Sequence, residues 1–163
     1  MLDLSLTDLE LRALINSIII SLGASFSSVV VSLLLAVFLA FYKIPAKRFF
    51  YFIFLVPLLI PPYLHAFSWM NFVMFLGEYK LLSQYSCCGV EILRSISGVI
   101  LLLTISYFPI AFFIIYQALR NIPQALIDAA IQTTKPVKVL LRIIIPAIFP
   151  AILTSLLLTF IVA

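Results

Sequence analysis

The stretch SISGVILLLTISYFPIAFFIIYQAL, Ser95 to Leu119, holds no charged residue and is closed at its ends by Arg94 and Arg120. A helix crosses the hydrocarbon core of a bilayer with roughly 20 consecutive apolar residues. Inside lipid every backbone amide has to be paired within its own segment, which makes helix the default for such a run. Three more runs of this kind flank it: Ala13 to Tyr42, Phe49 to Gly77, and Ile143 to Ala163. Together they predict an all-α transmembrane bundle forming one domain over 1–163, with spans at about 13–42, 49–77, 95–119 and 143–163 and a polar loop at 120–142. The first two runs exceed the minimum length, so they either tilt or project beyond the bilayer.

Composition agrees. The chain is 65% hydrophobic and 10% charged, whereas a soluble domain carries roughly a quarter charged residues. Its mean hydropathy is +1.29. Such a chain cannot cover a water-facing surface. The ten basic residues are scattered among short loops, which speaks against nucleic-acid binding. The N-terminal stretch MLDLSLTDLELR has three acids before its first base, so a cleaved signal peptide is not expected. Cys87 and Cys88 are adjacent and fit no zinc spacing. They are read as loop residues, and no metal site or catalytic residue is expected. There is no Walker lysine loop.

Charge placement gives the topology. KIPAKR (Lys43 to Arg48) has three bases and no acid, and Arg120 to Arg142 has four bases and one acid, Asp128. The N-terminal tail has one base against three acids, and Glu78 to Arg94 has two of each. Lys and Arg are retained on the cytoplasmic side. The expectation is a multi-pass protein with its N-terminus outside and both basic loops inside.

Within the second run, VPLLIPPYLHAFSW (Val56 to Trp69) carries Pro57, Pro61 and Pro62. Each removes a backbone donor, which predicts a kinked or broken helix. The bend either lines a translocation path or is a packing kink. His65 is the one ionisable residue well inside a span. It is either functional or a neutral side chain hydrogen-bonding near the outer interface, beside Tyr63, Ser68 and Trp69. Gly23, Ala24, Ser25, Ser27 and Ser28 suit close helix contact in the first span, without a clean GxxxG.

The loop at 120–142 has its own pattern. PQALIDAAIQ (Pro123 to Gln132) opens with a proline suited to a helix start. Ala125, Leu126, Ala129 and Ala130 are expected to form one small apolar face. TTKP (Thr133 to Pro136) punctuates, and VKVLLRIII (Val137 to Ile145) resumes a helical run into the last span. The first helix either docks into a groove on a soluble partner or only anchors the loop at the bilayer.

Pro123, Asp128-Ala129-Ala130 and the closing IIIP (Ile143 to Pro146) make this stretch resemble the EAA loop of binding-protein-dependent ABC transporter permeases. That pattern opens on Glu-Ala-Ala, carries a glycine and closes on Ile-x-Leu-Pro. NSIIISLGASFSSVVVSLLLAVFLA (Asn16 to Ala40) resembles the family's first core span. LVPLLIPPYLHAFSW (Leu55 to Trp69) and LTISYFPIAFFIIYQALRNIP (Leu103 to Pro123) resemble the iron(III)-type branch. Departures are Asp128 in place of Glu, Thr133 or Thr134 where the glycine stands, and a loop one residue shorter to Pro146.

The resemblance implies a transport subunit in a bacterial inner membrane, not an enzyme, with no cofactor of its own and ATP acting through a partner. The implied partners are a cytoplasmic ATP-binding subunit, a second permease half or subunit, an external solute-binding protein and membrane lipid. It also implies an ATPase-coupling loop at Pro123, Leu126, Asp128, Ala129, Ala130, Thr133, Thr134 and Pro146, and a ferric-iron-like solute. Because the chain ends inside its fourth apolar run, it is expected to be a fragment, a truncated product or part of a split permease. The alternatives are a fragment of a secondary transporter and a non-transporting membrane assembly protein.

Overall fold

The computed structural model describes residues 8–41, 47–78, 91, 94–133 and 136–163, with the backbone alone at 47–48, 76–78, 124, 128–129, 131, 133 and 136–137. Among the described residues all regular structure is helical, so the all-α class holds. The elements are α1 (Asp8–Phe41), α2 (Lys47–Leu59), α3 (Pro62–Glu78), α4 (Ile96–Arg120), α5 (Gln124–Thr133) and α6 (Pro136–Val139). A π-helical turn (Leu140–Ile144) then leads into α7 (Ile145–Val162). Cys87 and Cys88 lie outside the described residues.

The first span starts earlier than expected, at Asp8 rather than at 13. Asp8 and Glu10 stand in its first turn, where negative charge offsets the positive end of the helix dipole. The 34 residues of α1 extend about 50 Å, against a hydrocarbon core of about 30 Å. Residues 8–19 are exposed on every side, and burial begins in earnest at Ala24. The excess length therefore projects away from the bundle.

The centre of the bundle is the contact between α1 and α4. Ala24, Ser28, Ser32 and Ala36 recur every fourth residue along α1, and all are fully buried. This small stripe extends well past the residues singled out in the sequence. Among apolar helices lipid is as good a solvent as protein, so close packing and interhelical hydrogen bonds hold the pair. The Ser32 hydroxyl donates to the Phe108 carbonyl at 2.7 Å, and Ser28 reaches the Thr104 carbonyl at 3.5 Å. A Cβ added to Gly23 would stand 2.7 Å from the end of the Ile100 side chain.

These contacts advance in step along both helices, so α1 and α4 run parallel. The chain leaving α1 at Phe41 must therefore cross back before α4 begins. The crossing is made by α2 and α3, which are bent by 95° between Leu59 and Pro62. Tyr51 of α2 packs edge-on against Tyr116, with ring centroids 5.1 Å apart, and Phe54 packs on Phe112 at 4.9 Å. Farther along, Pro62, Ala66 and Met70 of α3 line one cavity with Arg94, Val99 and Leu102. The pair thus descends α4 from its end to its start. It is one broken span and not a re-entrant loop, and the fold has four crossings. Consequently Phe41, Lys47 and Asn121 stand at one end of the bundle, and Asp8 and Ser95 stand at the other.

The break has a local cause. Pro61 and Pro62 offer no N–H to the last carbonyls of α2. The Pro61 carbonyl instead accepts from Leu64 and His65, at 2.9 and 3.2 Å, and starts α3. Pro57 sits inside α2 without ending it.

The last span also departs from a simple helix. Ile145 N–H bonds to the Leu140 carbonyl, closing a π-turn. Pro146 has no donor for the Arg142 carbonyl and its ring crowds that group, so the helix widens just before it. The widening has a packing consequence. Val139, Ile144 and Ile148 are each 2% exposed, yet in an α-helix residues five apart diverge by about 140°. The wider turn returns Ile144 to the face of Val139. On that face Ser155 and Thr159 are buried too, their hydroxyls bonded back to the carbonyls of Ile152 and Ser155 at 2.8 Å each.

Candidate functional site

Two places combine polar chemistry with the break or the basic end. The first is the elbow between α2 and α3. Pro61 is exposed at its tip, and Pro57 and Pro62 are half-buried beside it. Three residues beyond Pro62, His65 turns its Nδ1 to the Ser106 hydroxyl at 3.0 Å. That hydroxyl also lies 3.0 Å from the Leu102 carbonyl. It has one proton, and a carbonyl can only accept. With its proton on the Leu102 carbonyl, Ser106 offers His65 Nδ1 an acceptor oxygen. His65, Ser68, Trp69 and Phe72 line a cavity of about 240 Å³.

Ser106 stands about 15 Å along α4 from Ile96, near the middle of that helix. Of the two readings of His65, functional or hydrogen-bonding, the structure supplies the hydrogen-bond partner, on α4. The hydrogen bond holds the first turn of α3 against α4, immediately after the break. Ser106 was not singled out from the sequence. It shares its buried face with Gly98 and Leu102. A double-mutant cycle of His65→Ala and Ser106→Ala should give a coupling of about 0.6 kcal/mol, the usual worth of such a bond in a membrane bundle. Denaturation from mixed micelles measures it, and purely additive effects would mean that the two groups are merely adjacent.

The second place is α5, held at the end of the bundle where Arg120 terminates α4. Asn121 and Ile122 close α4 by donating to the carbonyls of Gln117 and Leu119 at 3.2 and 3.3 Å. Pro123, exposed, stands just before α5 and its carbonyl accepts from Leu126 at 3.0 Å. Ile127 and Ala130 are 5% and 8% exposed, and Ala130 belongs to the same buried cluster as Leu119 and Val139. Leu126, at 49% exposed, and Ala125 face outward.

The expected face of Ala125, Leu126, Ala129 and Ala130 is therefore split. Ile127 is buried, and Ala130, three residues on, lies on the same inner side. Ala130 is thus removed from the outward surface. The side chains of Asp128, Ala129 and Thr133, and Thr134 altogether, lie outside the described residues. Pro146 is exposed at the start of α7, just past the π-turn. The helical run expected after Pro136 continues through Val162.

A four-crossing bundle with a short helix seated at its basic end is the architecture that the loop pattern led one to expect. Residues 28–163 match the family described as binding-protein-dependent transport system inner membrane component. The chain belongs to this family. The match begins within the buried stripe of α1 and includes the elbow, the loop helix and all of α7. A comparison with curated proteins found no match. The transport component is accordingly a multi-pass inner-membrane protein of the permease type.

Proposed function

We propose that the chain is a membrane-spanning subunit of an ATP-driven importer. In this reading the broken α2–α3 span borders the solute path, and α5 receives the motion of a cytoplasmic ATP-binding subunit. The observation that carries it is the seating of α5. Ile127 and Ala130 are buried while Ala125 and Leu126 face out, so a push on the outer face is delivered to α6 and to the end of α4. Coupling of this kind needs a rigid element that both sites bias.

ATP binds the partner and not this chain. A second permease subunit or half completes the path, and an external binding protein delivers the solute. Ferric iron or a related solute is the proposed cargo, from the resemblance of Leu55 to Trp69 and Leu103 to Pro123 to the iron(III)-type branch. Phe41 and Lys47, which flank the first basic loop in sequence, and Arg120, which opens the second, stand at the same end of the bundle, and the positive-inside rule assigns that end to the cytoplasm, with the N-terminus outside. Membership of a binding-protein-dependent family favours this reading over a secondary transporter.

The test is pull-down of the cognate ATP-binding subunit from detergent. Leu126→Glu and Asp128→Lys should each weaken capture by about tenfold, the effect of losing roughly 1.4 kcal/mol at a contact. Neither should change insertion. Ile127→Glu is the contrast, because it buries a charge inside the bundle and should lower the yield of folded protein. Capture unchanged by both outward substitutions, or labelling of Gln132→Cys from outside intact cells in a background lacking Cys87 and Cys88, would remove the coupling role.

A further inference from the structure

The basic end of the bundle encloses a cavity that the coupling reading does not use. It has a volume of about 440 Å³ and lies between the end of α1, the start of α2, the end of α4 and α5. Tyr51, Tyr116 and Arg120 supply its polar side chains, with Phe41, Ile122 and Ile127 as apolar walls. The Tyr51 hydroxyl is buried and completes no well-formed hydrogen bond, with the Tyr116 hydroxyl and the Arg120 guanidinium as its polar neighbours. Arg120, exposed in the last turn of α4, meets no carboxylate among the described residues. A buried donor without an acceptor is costly. Here one such donor, a second phenol and a guanidinium converge on a single space.

We infer that this cavity binds a phosphate-bearing anion, either a phospholipid headgroup or free phosphate. Three donor groups and a positive charge call for a ligand rich in acceptor oxygens. A guanidinium matches phosphate with two parallel hydrogen bonds. The depth is right for a headgroup: the outer faces of α1 and α2 are apolar up to Phe41 and Phe49, and the charged stretch Lys43 to Arg48 follows. Charges of that kind mark the boundary between hydrocarbon and headgroups. The cavity exceeds the roughly 30 Å³ share of one water many times over. Arg120, on a long stem at the exposed rim, is the movable wall through which the anion reaches the Tyr51 hydroxyl. Once bound, the anion ties α4, α2 and α5 together, since Ile127 of α5 forms one wall.

The experiment uses the full chain, purified without lipid in an uncharged detergent. Thermal midpoints are measured in phosphatidylcholine bilayers with and without phosphatidylglycerol, and in detergent with and without inorganic phosphate. Phosphatidylglycerol is expected to raise the midpoint of the parent. Tyr51→Phe keeps the ring contacts and removes the orphan hydroxyl. Without ligand it should be as stable as the parent or more so, and it should need about tenfold more phosphatidylglycerol for half of the effect. Arg120→Gln should lose the effect altogether. A response to phosphatidylglycerol alone assigns the headgroup, and a response to inorganic phosphate alone assigns the free ion. If Arg120→Gln does not fold, Tyr51→Phe carries the test by itself. No response in either arm, or equal responses of parent and Tyr51→Phe, would overturn the site.

Discussion

Phe112→Ala is expected to destabilise the bundle by about 3 kcal/mol, the lower end of the range for deleting a buried phenylalanine. Phe112 is fully buried. Its ring meets Phe54 edge-on at 4.9 Å, Phe113 at 5.5 Å and Tyr116 at 5.6 Å. In lipid the penalty is not exposure to water but lost packing: the rings around the cavity forfeit partner atoms that tails cannot replace in a closed space. The damage is directional. Phe112 joins α4 to α2, so the first arm of the broken span should loosen, while the α1–α4 pair keeps its serine hydrogen bonds. Unfolding in mixed micelles measures the loss. Phe112→Leu, which fills most of the volume, should recover more than half of it. A loss under 1 kcal/mol would mean that the aromatic cluster is not the clamp on α2.

The second large effect concerns the elbow. Pro61→Ala with Pro62→Ala restores two donors to the carbonyls ending α2, so the helix can continue. The change is best seen as a distance. Phe52 and Met74 are both exposed and accept spin labels. Along the two arms of the 95° bend their backbones are roughly 23 Å apart, and along one straight helix roughly 33 Å. Pulsed spin–spin measurements should therefore move by several ångströms toward the longer value. In reconstituted transport the same variant should lose most of its ATP-driven flux while its insertion is unchanged, because His65 can no longer meet Ser106 after a straightened turn. An unmoved distance would place the cause of the bend in the packing of α3 on α4 and not in the prolines. A moved distance with full transport would make the elbow a packing detail.

Much of the fold was legible because lipid imposes a simple rule. Uncharged runs bounded by arginine and lysine give the spans, and their ends fall close to the helices. The edge of α1 was missed because the acids at Asp8 and Glu10 look like loop residues, yet they suit a helix start. The loop helix was found from Pro123 and its helix-forming composition, but its inward face was not, because alanine gives almost no amphipathic signal. Ser106 and the π-turn had no reliable local cue. A serine in a span is commonplace, and Pro146 says only that the helix must adjust, not how.

By itself, then, the sequence determined the all-helical class, the runs that cross the bilayer, the prolines at which one must break and the ends that carry positive charge. These are properties of single segments in contact with lipid, and transfer energies and missing backbone donors suffice to decide them. Only the tertiary structure decided that α1 and α4 are parallel, that the bent pair crosses instead of turning back, that His65 meets Ser106, and that Ile127 and Ala130 turn inward while Ala125 and Leu126 face out. Each of these depends on which side chains of two helices fit together. That is a matter of volume and hydrogen-bond geometry between segments far apart in the chain, for which no single run of residues holds a record.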